Sequence, residues 1–127
     1  MTVTIDAEDF VARLQALAAR PGRHVAALAG PPGAGKSTLA EMAVERLGAA
    51  CAILPMDGFH YDDSLLNARG WRPRKGAPHT FDVGGLAATL ARLRAGDEDA
   101  VAVPVFDRAI EIARAGARLI DRENRAC

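Results

Sequence analysis

The sequence predicts a three-layer α/β fold with a mainly parallel sheet, and three observations carry that prediction. An apolar run, His24-Val25-Ala26-Ala27-Leu28-Ala29, leads into a glycine-rich loop and then a helix-patterned run, Leu39 to Leu47, that stops at Gly48. A second run, Ala49-Ala50-Cys51-Ala52-Ile53-Leu54, is apolar throughout rather than alternating, which suits a parallel strand buried on both faces. Just past its end comes a carboxylate, Asp57, where α/β sheets gather their ligands. With 127 residues, half of them hydrophobic, the chain is long enough for one domain with a core and is short for a complete nucleotide-using enzyme.

The remaining elements follow in order. Asp6 caps a first helix whose apolar stripe is Phe10, Leu14 and Leu17, and Arg20-Pro21-Gly22-Arg23 ends it. Asp62 to Ala68 suits a short helix, and the stretch from Gly70 to Pro78 is too rich in proline and glycine for a long one. Asp82 caps a helix carrying Leu86, Leu90 and Leu93, closed by Gly96. Val101 to Phe106 reads as a strand in which Pro104 marks an edge or a bulge. Asp107 to Ile120 fits either a short helix or a hairpin arm, and 121–125 reads as a polar turn.

The chemistry lies in Gly30-Pro31-Pro32-Gly33-Ala34-Gly35-Lys36-Ser37, with Thr38 behind it, a full match to G-x-x-x-x-G-K-[ST]. Glycines let successive amides curl inward and the helix start adds its positive dipole end, so residues 30–38 predict a polyphosphate cradle. Lys36 then reaches the β- and γ-phosphates and Ser37 a Mg²⁺ ion. A chance match in a chain of this length is on the order of one in a few hundred. Of the 16 basic residues, 14 are arginine, yet this position holds one of the two lysines, a compact and flexible point charge.

Composition narrows the remaining classes. Sixteen acidic residues balance the sixteen basic ones, so no basic field argues for nucleic acid. No apolar run approaches membrane-spanning length, and the acidic N-terminus does not read as a secretion signal. Cys51 and Cys127 make no metal spacing and suit a reduced, cytoplasmic setting.

Three stretches carry a resemblance to a known family: Gly30–Thr38; Pro55-Met56-Asp57-Gly58-Phe59-His60; and Arg74 to Asp82 followed by Val103-Pro104-Val105-Phe106-Asp107-Arg108. Together they resemble the P-loop kinases that include uridine kinase, phosphoribulokinase and bacterial pantothenate kinase. More nearly still, they resemble bacterial proteins of the nucleoside/nucleotide kinase-like or fructose-transport-system-kinase-like type. The resemblance implies a P-loop NTPase fold and ATP- and Mg²⁺-dependent phosphoryl transfer to a hydroxyl of a small metabolite such as a sugar, a nucleoside or a pantothenate-like molecule. It implies catalytic roles for Lys36 and Asp57, Mg²⁺ ligation by Ser37 and Asp57, and an acceptor site drawn from His60, Tyr61, Lys75, Asp107 and Arg108. Arg72, Arg74 and Lys75 form a basic cluster beside Trp71 that suits either a phosphate or anionic acceptor or simply a solvated loop.

Two departures bear on the acceptor. Phe106-Asp107-Arg108 stands where pantothenate kinases carry a Tyr and a His, and Gly76 where uridine kinases place an acidic residue; a sugar-like polyol suits Asp107, Arg108 and His60 instead. The resemblance also implies a further buried strand, an arginine-bearing lid and an adenine loop after residue 127, so the chain reads as the N-terminal portion of such a kinase. The exposed strand edges that result favour self-association as a homodimer. The competing readings are a nucleotide-binding regulatory ATPase without an acceptor, and a kinase fragment without activity.

Overall fold

A computed structural model describes residues 6–28, 35–122 and 124. Its contacts divide the chain into two units, the first holding residues up to Ile53 with Arg94–Gly96 and the chain from Arg122 on, the second Leu54–Leu93 and Asp97–Asp121.

In the first unit, helix α1 (Ala7–Ala19) starts at Asp6, whose carboxylate accepts from the Asp9 amide at 2.8 Å. Helix α2 (Lys36–Leu47) begins at Gly35 in the left-handed conformation, φ 85°, and stops at Gly48, φ 59°. Leu39, Ala43 and Leu47 recur every four residues along α2, so they share one face. Leu14 of α1, Ala43 of α2 and Cys51 are buried together, with Phe10, Leu17, Ala26, Val44 and Leu47 packed around them. On the surface the Glu8 carboxylate accepts from both terminal guanidinium nitrogens of Arg46, at 2.9 and 3.0 Å, tying α1 to α2.

The predicted parallel strands at 24–29 and 49–54 are not formed among the described residues. His24 and Cys51 are single bridged residues, and the residues after each lie outside any ladder. An apolar run specifies burial, but a strand also needs a neighbour for its N–H and C=O groups. Here a side chain meets part of that need: the Asn124 amide donates to the carbonyls of Ala49 at 2.8 Å and Cys51 at 3.4 Å, while its own backbone carbonyl accepts from Arg23 Nε at 2.8 Å.

The second unit holds the sheet, which is antiparallel and two-stranded: β1 (Ala100–Asp107) pairs with β2 (Ile112–Asp121). The stretch after Asp107 is thus a hairpin arm. Val101, Val103 and Ile120 are fully buried, Val101 lying opposite Ile120, while Leu119 on the other face is exposed. The register slips between Val103, opposite Arg118, and Val105, opposite Arg114. Pro104 sits at that slip, as a residue without an amide hydrogen should; on β2 the slack is taken up by 115–117, where Gly116 has φ 63°. Helix α3 (Asp63–Ala68) is capped by Asp62, and α4 (Val83–Ala95) has the Asp82 carboxylate on the Gly85 amide at 2.9 Å. Between them the chain makes 3₁₀ turns at Arg72–Arg74 and Pro78–Thr80.

Candidate acceptor cleft

The Met56–Phe59 turn carries Asp57 and is fixed from two sides. Behind it, Gly58 lies against β1 so closely that a Cβ there would meet the Pro104 carbonyl oxygen at 2.5 Å. Beside it, the Phe59 carbonyl accepts from the Asp82 amide at 2.7 Å and the Tyr61 amide donates to the Thr80 carbonyl at 2.9 Å, so that His60 and Phe81 form an antiparallel bridge. Thr80 is fully buried and locks its own turn, its hydroxyl donating to the Ala77 carbonyl at 2.7 Å and accepting from the Gly76 amide at 3.0 Å. Asp57 and His60 therefore stand on backbone held by hydrogen bonds and close packing.

These residues open onto a cleft of about 320 Å³ lined by Asp57, His60, Arg72, Pro73, Lys75, Phe106, Arg108 and Glu111. That is the lower end of the range for small-ligand clefts, about 300–1,000 Å³. The Asp57 carboxylate receives Arg108 Nη2 on Oδ2 at 3.0 Å. His60 places Nδ1 2.7 Å from the Asp57 carbonyl oxygen; since a carbonyl only accepts, Nδ1 carries the proton and Nε2 is the other functional nitrogen. The imidazole is held between Phe81, at 4.1 Å between ring centres, and Phe106, at 4.8 Å.

Lys75 ties the cleft together. Its amine donates to Asp63 Oδ1 at 2.7 Å and to the Glu111 carbonyl, and lies 5.4 Å from the centre of the Phe106 ring. It also holds the Asp63 carboxyl below its ordinary range, chiefly by that hydrogen bond. Arg72 reaches Asp63 at 3.2 Å and Glu111 at 3.8 Å.

Of the acceptor residues expected from the sequence, the cleft brings together His60, Lys75 and Arg108 with Asp57; Tyr61 and Asp107 do not line it. Asp107 instead accepts from the Ala109 amide at 3.0 Å and from Arg114 at 3.5 Å, closing the hairpin turn. Glu111 was not foreseen: it reaches the cleft because the turn after β1 ends on it, at φ 55°, and no local pattern marks that. Lys36, Ser37 and Thr38 open α2 in the first unit behind Gly35. Gly30, Pro31, Pro32, Gly33 and Ala34 lie outside the described residues.

Among the described residues there is no cluster of three His, Cys, Asp or Glu side chains able to hold a metal ion, and no helix long and apolar enough to cross a membrane.

No protein-family model matches the chain. It is 45% identical over 91 residues to the uncharacterized protein YggC of Escherichia coli (strain K12), an alignment covering 68% of this chain and 37% of that protein. It is 30% identical over 92 residues to the pantothenate kinase of Yersinia enterocolitica serotype O:8 / biotype 1B, covering 68% and 29%. Among solved structures, a protein of Silicibacter sp. TM1040, provisionally described as a fructose transport system kinase, superposes with a TM-score of 0.81 at 39% identity, over 97% of this chain and 61% of that one. The chain thus spans 37% or less of these two curated relatives. It is a distant homologue of pantothenate kinases and has a kinase-like structural neighbour.

Proposed function

We propose that the chain is the phosphate-loop portion of a P-loop small-molecule kinase that transfers the γ-phosphoryl group of ATP to a hydroxyl of a small metabolite. The observation that carries this reading is the placement of Asp57 on a pinned turn at a cleft of metabolite size, in a chain bearing the full phosphate-loop motif. The kinase names of the pantothenate kinase relatives and of the Silicibacter protein support it, and the latter's TM-score of 0.81 at 39% identity supports a shared kinase-like fold.

The residues suit the task. Gly35 in the left-handed conformation turns the chain into α2, and the first amides of a helix have no intrahelical acceptor, which favours a phosphate at that end. Lys36, the first residue of α2, would neutralise charge on the transferring group. The Ser37 hydroxyl and the Asp57 carboxylate are hard oxygen donors of the kind Mg²⁺ accepts alongside its waters. Mg²⁺, when bound, would supply neutralisation of the charge that builds on the nucleotide's phosphates. Asp57 would accept or orient the proton of the acceptor hydroxyl, and His60 Nε2 would fix the acceptor by a further hydrogen bond.

Incubating the chain with ATP, Mg²⁺ and a panel of sugars, nucleosides and pantothenate tests the proposal. ADP formed only with an acceptor is the expected result. Acceptor-independent ADP would instead make the chain a regulatory ATPase, and no ADP at all an inactive fragment. Lys36→Ala should abolish nucleotide binding or turnover, whereas Asp57→Asn should keep nucleotide affinity and lower turnover about 10²–10⁴-fold.

A further inference from the structure

We infer that the Asp57 cleft is built for a neutral, polyhydroxylated acceptor of monosaccharide size, and that the Asp57–Arg108 pair sets this choice against anions. The inference deepens the kinase reading and rests on the cleft being its acceptor site.

Three cations line the cleft, and each already faces a carboxylate. Arg108 is on Asp57 at 3.0 Å, Lys75 on Asp63 at 2.7 Å, and Arg72 lies between Asp63 at 3.2 Å and Glu111 at 3.8 Å. Three positive charges are thus matched by three negative ones, and an approaching anion meets no net attraction. The cation best shielded from solvent is Lys75, its side chain only 10% exposed, and its amine is committed to Asp63 and the Glu111 carbonyl. Arg108 is 82% exposed, but an anion that took it would displace Asp57 and leave that carboxylate unpaired beside a second negative charge.

A neutral polyol meets the opposite situation. Each hydroxyl both donates and accepts, and the Asp57–Arg108 edge offers an acceptor and donors side by side. One hydroxyl can donate to Asp57 Oδ1 while its neighbour accepts from the Arg108 guanidinium, with the ion pair intact. Phe106, braced by His60, adds an apolar wall for the C–H face of such a ligand. The hydroxyl on Asp57 is then the one placed for proton removal.

Trp71, the single tryptophan, precedes Arg72, which lines the cleft, and its fluorescence serves as one readout of binding. The chain, without nucleotide, is titrated with D-fructose, D-glucose and D-mannitol as neutral probes, and with pantothenate, D-fructose 6-phosphate and inorganic phosphate as anionic ones, with calorimetric heats as a second readout. At least one neutral probe should saturate, and the anions should bind at least tenfold more weakly. Arg108→Ala should weaken the neutral probe about tenfold with circular dichroism unchanged. Asp57→Asn, which removes one negative charge and loosens Arg108, should gain affinity for inorganic phosphate, an outcome that mere loss of structure does not give. An anion binding the unaltered chain as tightly as the polyols, no saturation by any neutral probe, or no gain of phosphate affinity in Asp57→Asn would each overturn the inference. The titration holds no ATP and so reads binding alone: polyol binding here, with no ADP formed in the ATP-containing assay, would sink the kinase reading alone, and transfer to an anionic acceptor in that assay would sink this one alone.

Discussion

At Gly58 the Met56–Phe59 turn approaches β1 so closely that a methyl group would lie 2.5 Å from the Pro104 carbonyl oxygen and 2.8 Å from its carbon. Both neighbours are backbone and cannot swing aside, so Gly58→Ala must push the turn or the strand. We expect a loss of about 1–3 kcal/mol in urea unfolding, with activity falling further than stability because Asp57 rides on the displaced turn. Thr80→Val should cost about 1–3 kcal/mol, since it leaves the Gly76 amide without its acceptor and removes a donor from the Ala77 carbonyl. At this scale the sequence was readable where chemistry is local. A carboxylate after an apolar run pointed to Asp57, and the short motif around it pointed to His60. It was not readable where position depends on a turn: the hairpin sends Asp107 to Arg114 and brings Glu111 to Lys75 and Arg72.

Helix ends were the most legible elements, because a cap is chemistry between neighbours. Asp6 and Asp82 each accept from an amide three residues on, as their patterns predict, and Gly48 and Gly96 have the positive φ that ends a helix. Asp6→Ala should lower stability by about 0.5–2 kcal/mol in thermal or urea unfolding. Strands were less legible, since pairing is a property of two segments and an apolar run shows only one. The second arm of the hairpin, 112–121, formed where the pattern left helix and strand open, while among the described residues the more apolar runs from His24 and Ala49 show only single bridged residues. Between elements, the contact from Lys75 to Asp63 on α3 makes a pH prediction. The Asp63 carboxyl is held below its ordinary value when folded, so its stabilising effect is complete above the unfolded value, about 3.9, and is lost as pH falls through the lower folded one. Trp71 fluorescence should therefore change on acidification below about pH 4, and Asp63→Asn should remove that step.

For the molecule as a whole, sixteen acids and sixteen bases give no net charge and an isoelectric point near 6.8. Light scattering should show self-association strongest near pH 6.8 and relieved on either side of it, since charge repulsion between copies is least there. The same balance recurs in small within the cleft, and Glu111 joins it to the conformational cost of the hairpin turn. A glutamate at φ 55° sits in a conformation that glycine adopts freely. Glu111→Gly would relax the turn and keep the backbone carbonyl that Lys75 holds, yet it would delete one of the three carboxylates that offset the cleft's cations. A variant chosen only for heat resistance would thus admit phosphate and carboxylate compounds that the parent turns away, and its gain in robustness would come with a coarser palate.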